Sequence, residues 1–444
     1  MQYSIIQKSQ LEGAYRLDAE YYQPEYLNLI SKIKSQKSKL LKDFLKLLYR
    51  YPTFYNLEYH KEGVLILKGE DITSEGFIQN QGQDFISIKD SKGFSKTILK
   101  EGDLIFSVRG YVGKVGIVDK KYEGSIISAN LIRVVVKDIS PYFLWVFLNS
   151  EYGIKQIDRV KMITAQETII ADDIKILLIP AISRNQQLEI ENLAKQVIKE
   201  VRNSESLYSQ TEDLLLEELG LKDFELNDDL SYIVKLSEVK SSHRGDAEYF
   251  QPKYDKFISK IKKQDAKLLG ELVSRIKTKI KPKPEEIYKY IEISDINVGS
   301  GDVNFNDIVG KELPANARIP IKGGELLVSK VRPTRGAISI MPFEFSDNFI
   351  CSSAFSVLKV PEILKQYLFV VLRSIIGKLQ FEKPTTGTSY PTITDEDVES
   401  VLIPILSKPT QQKIADLVQK SYEARKKAKE LLEEAKRKVE ELIK

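Results

Sequence analysis

The chain has 444 residues, of which 42% are hydrophobic and 29% are charged, and its formal net charge at pH 7 is +4. This composition is that of a folded globular protein, and the charge is too small to establish nucleic-acid binding by itself. The single cysteine, Cys351, is expected in a buried strand and cannot form an internal disulfide, and two histidines are too few for a Cys/His zinc site. The sequence shows no signal peptide and no apolar window that could span a membrane, so a cytoplasmic location is expected.

The most informative feature is an internal repeat. The segment Arg16-Leu-Asp-Ala-Glu-Tyr-Tyr-Gln-Pro-Glu-Tyr26 returns, 228 residues later, as Arg244-Gly-Asp-Ala-Glu-Tyr-Phe-Gln-Pro-Lys-Tyr254. Ile179-Pro180 is answered by Ile403-Pro404. A repeat of this size indicates two whole domains rather than the short units of a solenoid. The sequence therefore predicts an α+β protein with two β-rich globular domains over residues 1–182 and 221–406.

Each copy opens with a predicted short strand, at Tyr3–Gln7 and Tyr232–Leu236, followed by an amphipathic helix across Asp18–Lys34 or Asp246–Lys262. Short apolar, β-branched runs then predict strands in both copies, at residues 64–67, 102–108, 115–118, 131–136, 290–293, 324–329, 336–340 and 354–358. A helix follows in each copy, at residues 141–149 and 361–374, and then a polar loop and the closing strand at Ile-Pro.

A long helix is predicted after each closing strand, within residues 183–220 and 407–444. Apolar or small residues recur at steps of three and four in both, at Ile190, Leu193, Ala194, Val197, Val201, Ser204, Tyr208 and Leu215, and at Ile414, Leu417, Ser421, Ala424, Ala428, Leu431, Ala435, Val439 and Leu442. A stripe on a helix of about 36 residues, roughly 54 Å long, outlasts any small domain and requires a partner helix. The two helices are therefore expected to pair as an antiparallel coiled coil. They would hold the domains about 50 Å apart, which corresponds to roughly 15 base pairs of duplex.

Two polar loops in each copy contain the side chains best suited to DNA. The first is Ser107-Val-Arg-Gly-Tyr-Val-Gly-Lys114 or Ser329-Lys-Val-Arg-Pro-Thr-Arg335, and the second is Lys161-Met-Ile-Thr-Ala-Gln166 or Pro384-Thr-Thr-Gly-Thr-Ser-Tyr-Pro391. Arginine can donate bidentately to guanine, whereas lysine, hydroxyl and amide groups suit phosphate. The candidate DNA-binding residues are Lys68, Arg109, Tyr111, Lys114, Thr164, Gln166, Lys330, Arg332, Arg335, Thr388, Ser389 and Tyr390.

Other interpretations of these residues remain open. A solvated hairpin explains any single residue of the first loop, and turn formation explains the second about as well as phosphate binding does. Tyr21, Tyr22, Tyr249 and Phe250 are interpreted as packing residues of the repeated frame rather than as base-stacking platforms. Which basic residues of the two first loops correspond is not fixed to better than one position.

Catalysis has little support in the sequence. Gly-Tyr-Val-Gly-Lys114 lacks the spacing of a phosphate-binding P-loop, and Ser140-Pro-Tyr142 lacks the asparagine and the second proline of the adenine methyltransferase motif. A Ser/His/Asp set cannot be argued from two histidines in polar stretches. No metal or cofactor is expected.

The chain resembles the specificity subunit of type I restriction-modification systems. The resemblance covers the full length and rests on the tandem repeat, Gly102-Asp-Leu-Ile-Phe-Ser107 and Gly324-Glu-Leu-Leu-Val-Ser329, the Thr386-Gly-Thr-Ser-Tyr-Pro391 loop, and the Ile-Pro strands that precede Gln-containing helix starts. The family loop commonly reads Gly-Ser-x-Gln-Pro. Tyr390 replaces the glutamine here, and the first copy keeps Gln166 but lacks the glycine and the proline.

This resemblance implies two target-recognition domains that each read one half of a bipartite, asymmetric DNA sequence. It also implies that the long helices act as a spacer and as a docking surface for methyltransferase subunits. Those subunits bind S-adenosylmethionine, and a further restriction and translocase subunit cleaves unmodified DNA, so the specificity subunit has no catalytic centre of its own. The alternatives are a stand-alone DNA methyltransferase or nuclease with an unrecognised site, and a helical scaffold that binds two proteins without contacting DNA.

Overall fold

The computed structural model describes residues 4–9, 11, 16–50, 58–60, 62–80, 84–162, 167–222, 224, 229–345 and 347–443. The chain divides into two units, Met1–Arg202 with Ala424–Lys444, and Asn203–Glu423. Each long helix therefore contributes one part to each unit. Both units combine helices with largely antiparallel sheets, so the chain is a tandem α+β repeat.

In the described part of the first unit, the strands form three sheets. The largest is antiparallel and has the order Leu45–Arg50, Leu131–Val136, Leu104–Ser107 and Val115–Ile117. The others are Phe85–Ile86, Val64–Leu67 and Ile126–Ile127, and Lys39–Leu40 with Leu178–Ile179. The α-helices are Pro24–Ser35, Ile88–Ser91, Pro141–Leu148, Glu151–Val160 and Ala171–Lys175. Short 3₁₀ helices lie at Ala19–Tyr22, Leu41–Phe44, Gly69–Asp71, Lys92–Thr97 and Lys120–Tyr122.

The second unit repeats the antiparallel sheet, in the order Ser274–Arg275, Phe355–Lys359, Leu326–Ser329 and Ile338–Ile340. Its other sheets are Asn306–Val309, Ile287–Ile291, Phe349–Ser352 and Ala317–Ile321, and Ala266–Leu268 with Leu402–Pro404. The α-helices are Leu236–Ser242, Pro252–Lys262, Leu269–Leu272, Lys365–Arg373, Ile375–Glu382 and Asp395–Glu399. The 3₁₀ helices are Ala247–Phe250, Ile293–Asp295, Gly310–Glu312, Pro333–Arg335 and Glu362–Leu364.

One helix of each unit forms the centre of the hydrophobic core. The helix Pro141–Leu148 begins with proline at its first turn, and the Ser140 side chain accepts a hydrogen bond from the Phe143 N–H. Its residues from Tyr142 to Leu148 are all buried, which is typical of a helix that is apolar on every side. The helix Lys365–Arg373 is buried in the same way in the second unit.

The two long helices, Arg184–Glu218 and Lys408–Glu441, contact each other within both units. In the first unit the contact contains residues that are at most 1% exposed, namely Ile190, Ala194, Val197, Val201, Ala428, Leu432, Ala435 and Val439. Lys438 pairs with Glu189 and Lys427 with Glu200, so the two helices run antiparallel there. In the second unit the buried hydroxyls of Ser204 and Ser421 lie 3.0 Å apart, and this close approach is possible because both side chains are small.

At three positions of the stripe expected on the second long helix, the buried residue is the one that follows the expected residue in the sequence. Val418, Leu432 and Ile443 are buried, whereas Leu417, Leu431 and Leu442 were expected in the stripe and are only half-buried. Both sets follow steps of three and four, and the core selects the set that faces it.

Two expectations about secondary structure are wrong. Residues 4–7 and 232–235 form no strand, and Tyr3 lies outside the described residues. The polar loop expected before each closing strand begins with a helix, Glu151–Val160 or Ile375–Glu382. Among the residues that the structure describes, no helix is both long and apolar enough to cross a membrane.

Candidate nucleic-acid interface

In the second unit, two loops lie side by side at the end of the antiparallel sheet, loop A2 (residues 330–336) and loop B2 (residues 387–391). The corresponding segments of the first unit are loop A1 (residues 108–114) and loop B1 (residues 163–167), of which residues 163–166 lie outside the described residues. Arg109 of loop A1 forms an antiparallel bridge with Thr168, which follows loop B1. Val331 of loop A2 forms the same bridge with Thr392, which follows loop B2.

The backbone contacts settle how loop A1 corresponds to loop A2. The Val108 carbonyl accepts a hydrogen bond from the Ile169 N–H, and the Lys330 carbonyl accepts one from the Ile393 N–H. Val108 therefore corresponds to Lys330, and the bridges make Arg109 correspond to Val331. One residue further, Gly110 corresponds to Arg332, and both have a positive φ, of 77° and 48°. The two loops thus place their basic side chains at different positions of a common backbone.

Arg332 is held in an unusual conformation. Its backbone is left-handed, with φ 48° and ψ 52°, a region that residues other than glycine rarely occupy. Its guanidinium donates to the Ser389 carbonyl at 3.1 Å and lies 4.8 Å from the centre of the Tyr390 ring. Such a conformation costs free energy and persists only where the surrounding structure holds it. Strained residues of this kind are concentrated at functional sites. The arrangement fixes one guanidinium beside one aromatic ring.

Loop B2 presents its side chains to solvent. Thr388 and Ser389 are exposed, and 69% of Tyr390 is exposed. Gly387 has a φ of 89°, which permits the tight turn, and Arg335 of loop A2 is exposed as well. The predicted residues of loops A2 and B2 are therefore brought together on one surface.

Loop A1 exposes an arginine and a tyrosine. Arg109 is exposed, and Tyr111 is 49% exposed. Lys114 lies 4.8 Å from the Tyr111 ring centre, but its ammonium donates to the Ile72 carbonyl at 2.7 Å, and burial lowers its pKa. Lys114 is therefore engaged in holding the loop. Thr164 and Gln166, the two candidates in loop B1, lie outside the described residues.

Two further candidate lysines are paired with carboxylates. Lys68 pairs with Asp84. Lys330 pairs with Asp395 at 3.1 Å, and Asp395 also binds Arg275. An ammonium that is neutralised inside the protein attracts phosphate less strongly than a free one. A direct role of Lys68, Lys114 and Lys330 in DNA binding stays a prediction.

The repeated sequence motif anchors the chain just before the second loop in both units. Arg244 forms a two-pronged ion pair with Asp246, at 2.7 and 2.6 Å, and donates to the carbonyls of Pro384 and Thr385, each at 3.0 Å. These carbonyls lie just before loop B2, separated from it by Thr386. The planar guanidinium can satisfy the carboxylate and both carbonyls at once.

The first unit has the same clamp before loop B1. Arg16 pairs with Asp18 at 2.6 Å and donates to the carbonyls of Val160 and Lys161 at 3.2 Å. The hydrogen bond and charge of Arg16 lower the pKa of Asp18, as those of Arg244 lower the pKa of Asp246. In agreement with the sequence interpretation, Tyr21 and Tyr22 are buried packing residues, 5% and 7% exposed.

Sequence reasoning missed basic residues beside the loops. Burial and the nearby charge of Arg109 lower the pKa of Arg50, which ends the strand Leu45–Arg50. In the second unit, Lys277, Lys279 and Lys281 follow the strand Ser274–Arg275 and are exposed. The regular spacing of lysine at every second residue could have identified this segment.

Groups that could perform chemistry are scarce in the described ranges. No cluster of three His, Cys, Asp or Glu side chains there could hold a metal ion. Cys351 is fully buried in the strand Phe349–Ser352, as predicted, and burial raises the pKa of its thiol, which keeps it protonated and unreactive.

A duplicated α+β fold in which loops A1 and A2 make equivalent bridges defines a protein of two like units. The family described as "Type I restriction modification DNA specificity domain" matches residues 22–208 and again residues 262–437. The chain belongs to this family.

One curated relative and several solved structures resemble the chain. The type I restriction enzyme HindI specificity subunit of Haemophilus influenzae (strain ATCC 51907 / DSM 11121 / KW20 / Rd) is 32% identical over 132 residues, which are 27% of this chain and 28% of that protein. The chain thus matches little more than a quarter of this relative's length. The type I restriction-modification S subunit from M. genitalium is 15% identical, with a TM-score of 0.39 over 91% of this chain and 94% of that one. The HsdS subunit from Thermoanaerobacter tengcongensis is 16% identical, with a TM-score of 0.29 over 91% and 96% of the two chains.

Proposed function

We propose that this chain is the DNA-recognition subunit of a type I restriction-modification complex and reads a bipartite, asymmetric DNA target. One half of the target is read by loops A1 and B1 and the other half by loops A2 and B2. The observation that carries the proposal is that loops A1 and A2 make the same backbone bridges in the two units but have different side chains.

The chemistry of the loops suits base recognition. A fixed arginine offers two parallel donors, which match the acceptors of guanine in the major groove. Exposed tyrosines add flat surfaces and hydroxyl groups for the sugar-phosphate backbone. Because Arg109 corresponds to Val331 and Arg332 corresponds to Gly110, the two units cannot make the same base contacts. An asymmetric target is the consequence.

The proposed division of the chain assigns recognition to residues 1–182 and 221–406 and a spacer function to the helices within 183–220 and 407–444. The antiparallel contacts of the long helices inside each unit support a spacer made of paired helices. A coiled-coil spacer of fixed length would set the gap between the two half-sites.

The proposed partners are methyltransferase and restriction subunits. They would provide the S-adenosylmethionine site and the catalytic groups, and this chain would be a non-catalytic scaffold in the cytoplasm. Ile5 and Ile233, at matching positions of the repeat, are 89% and 100% exposed. Equivalent exposed apolar residues in both units suit a partner that docks twice.

The test is selection of binding sites from random duplexes by the full-length chain co-expressed with its methyltransferase subunits. The proposal expects a two-part motif with a fixed gap, and affinity that falls linearly in log-log form with salt. Arg109→Ala and Arg332→Ala should each weaken binding by about 1 to 3 kcal/mol and relax different halves of the motif. Absence of duplex binding would refute DNA recognition, and methyl transfer or cleavage by the purified chain alone would favour an enzyme instead.

A further inference from the structure

A row of lysines follows the strand Ser274–Arg275 in the second unit. The sequence Arg275-Ile-Lys-Thr-Lys-Ile-Lys-Pro-Lys283 has lysine at every second position from Lys277 onward. Two backbone hydrogen bonds attach this segment to the body of the unit, from the Ile276 N–H to Val357 O and from the Ile280 N–H to Arg318 O, both 2.8 Å long. The two isoleucines are half-buried, so the lysines face solvent.

Three of these lysines have no acidic partner among the residues that the structure describes. Lys283 pairs with Glu286 at 2.6 Å, but within the described part of the chain neither an ion pair nor a side-chain hydrogen bond involves Lys277, Lys279 or Lys281. Adjacent basic residues behave differently, since Arg275 contacts Asp395, Glu396 and Glu399. The segment 277–281, which we call the lysine strip, therefore presents three unneutralised charges in a row.

The lysine strip borders loop A2. Lys277 and Lys279 line a cleft of about 220 Å³, and the ion-paired Lys330 and Asp395 line the same cleft. Lys330 is the first residue of loop A2. The strip is therefore continuous with the surface to which the base-reading loops were assigned.

The first unit has a basic residue, Arg50, at the sheet position that corresponds to Lys277 of the lysine strip. Arg50 lies opposite Ile132, which in turn lies opposite Phe106 of the central strand. In the second unit the equivalent central pair is Val328 with Ser356.

The register of the edge strand Ser274–Arg275 identifies the residue that lies opposite Ser356. Arg275 lies opposite Leu358, and the Ile276 N–H bonds to Val357 O, so the same register continued by one residue places Lys277 opposite Ser356. Lys277 and Arg50 thus occupy one position of the repeated fold, although the sequences around them differ.

We propose that Lys277, Lys279 and Lys281 bind the phosphate backbone of duplex DNA beside the half-site read by the second unit, and that Arg50 makes the corresponding phosphate contact in the first unit. The proposal rests on the proposed DNA-recognition function and adds the backbone contacts to it. Alternate residues of an extended chain are roughly 6.6 Å apart. Because a DNA strand winds around the helix axis, its neighbouring phosphates lie farther apart than their axial rise of about 3.4 Å, so successive lysines can reach successive phosphates of one strand.

The experiment measures duplex affinity against salt concentration for the full-length chain in complex with its methyltransferase subunits. The test variant is K277Q/K279Q/K281Q. The charge-matched control is K262Q/K263Q/K413Q, which removes three exposed lysines from a short helix end and from the second long helix of the same unit. Each lost phosphate contact should reduce the slope of log affinity against log salt by about 1, so the strip variant should lose about 3 and the control almost nothing. Arg50→Gln should lose about 1.

Sequence preference separates this proposal from base recognition. Phosphate contacts carry no base information, so the strip variant should keep the wild-type motif in both halves while binding more weakly to every sequence. An unchanged salt slope, with specific binding intact, would overturn the lysine strip and leave the DNA-recognition function standing. Loss of the methyltransferase subunits with an unchanged slope would assign the strip to a protein partner instead. A wild-type complex that binds no duplex would overturn both proposals.

Discussion

Replacing Arg332 with glycine separates the role of its side chain from the role of its backbone conformation. The left-handed conformation costs a residue other than glycine about 1 to 2 kcal/mol, and glycine relieves this cost. Against this gain, glycine adds about 0.5 to 1 kcal/mol of freedom to the unfolded chain, and the contact with the Tyr390 ring, worth about 0.5 to 1 kcal/mol at an exposed site, is lost. The hydrogen bond to the Ser389 carbonyl is lost as well, but it is exposed, so water can replace the donor at little cost. The free energy of unfolding should therefore change by less than about 1 kcal/mol.

Binding should respond far more strongly than stability. If Arg332 donates to a guanine, its removal costs about 1 to 3 kcal/mol, which is roughly a 5- to 150-fold loss of affinity for the specific duplex. The assays are chemical denaturation of the purified chain and duplex binding at fixed salt. Asn348→Gly is the matched control, since Asn348 also has a positive φ, 58°, but lies outside loops A2 and B2. Wild-type affinity and sequence preference in Arg332→Gly would refute the assignment of this side chain to base reading, and a loss of stability above about 2 kcal/mol would make it a structural residue.

Three further predictions follow from the clamp and the long helices. Arg244→Met should leave the Pro384 and Thr385 carbonyls and the Asp246 carboxylate without their donor. It should lower the free energy of unfolding by about 1 to 3 kcal/mol and weaken recognition of one half-site. Urea titration and binding-site selection check this, and wild-type values in both would contradict it. Because the pKa of Asp246 is lowered in the folded state, its contribution to stability is present above the ordinary carboxyl pKa and is lost as the pH falls through the lowered value. Asp246→Asn should therefore lose less free energy of unfolding than the wild type between pH 5 and pH 2.5. Parallel plots of the free energy of unfolding against pH for the two proteins would count against the pair. Deleting four residues within Lys195–Ser209 removes about 6 Å of helix and should change the tolerated gap between the half-sites by about two base pairs, or abolish assembly. Binding to duplexes with gaps of graded length measures this. Wild-type binding to a duplex with the original gap would argue against a spacer.

The repeat and the long helices could be predicted because they depend on local signals. The eleven-residue motif recurs because its arginine makes the same clamp in each unit, from Arg16 to Val160 O and from Arg244 to Pro384 O. The apolar stripes predicted long helices because an unbroken period of three and four has no other common explanation. The antiparallel contact followed from the order of elements.

Features set by tertiary packing could not be predicted. The helices Glu151–Val160 and Ile375–Glu382 each contain a glycine, which by local propensity disfavours a helix. In the structure a Cβ on Gly153 would lie 2.3 Å from Phe147 O, and one on Gly377 would lie 2.1 Å from Leu372 O. The glycines are therefore needed for a tight corner between two helices, and a single sequence does not show that corner.

Tertiary contacts also decide whether the first residues of each copy form a strand and how loop A1 corresponds to loop A2, so neither could be predicted from the sequence. Residues 4–7 include the β-branched Ile5 and Ile6, which favour a strand, but a strand also requires a neighbour to pair with, and Ile5 remains 89% exposed. The sequence places Arg109 and Arg332 in matching loops but cannot fix their register. Only the bridges to Thr168 and Thr392 reveal that they occupy neighbouring rather than equivalent positions.

The most direct test of two separate readers is a genome-wide map of DNA methylation in a host that carries this gene with its partner subunits. The wild-type chain should produce one asymmetric motif of two parts with a fixed gap, and Arg332→Gly should make one part degenerate while the other part and the gap stay unchanged. A single uninterrupted motif, or a change in both parts from this one substitution, would contradict the assignment of one half-site to each unit.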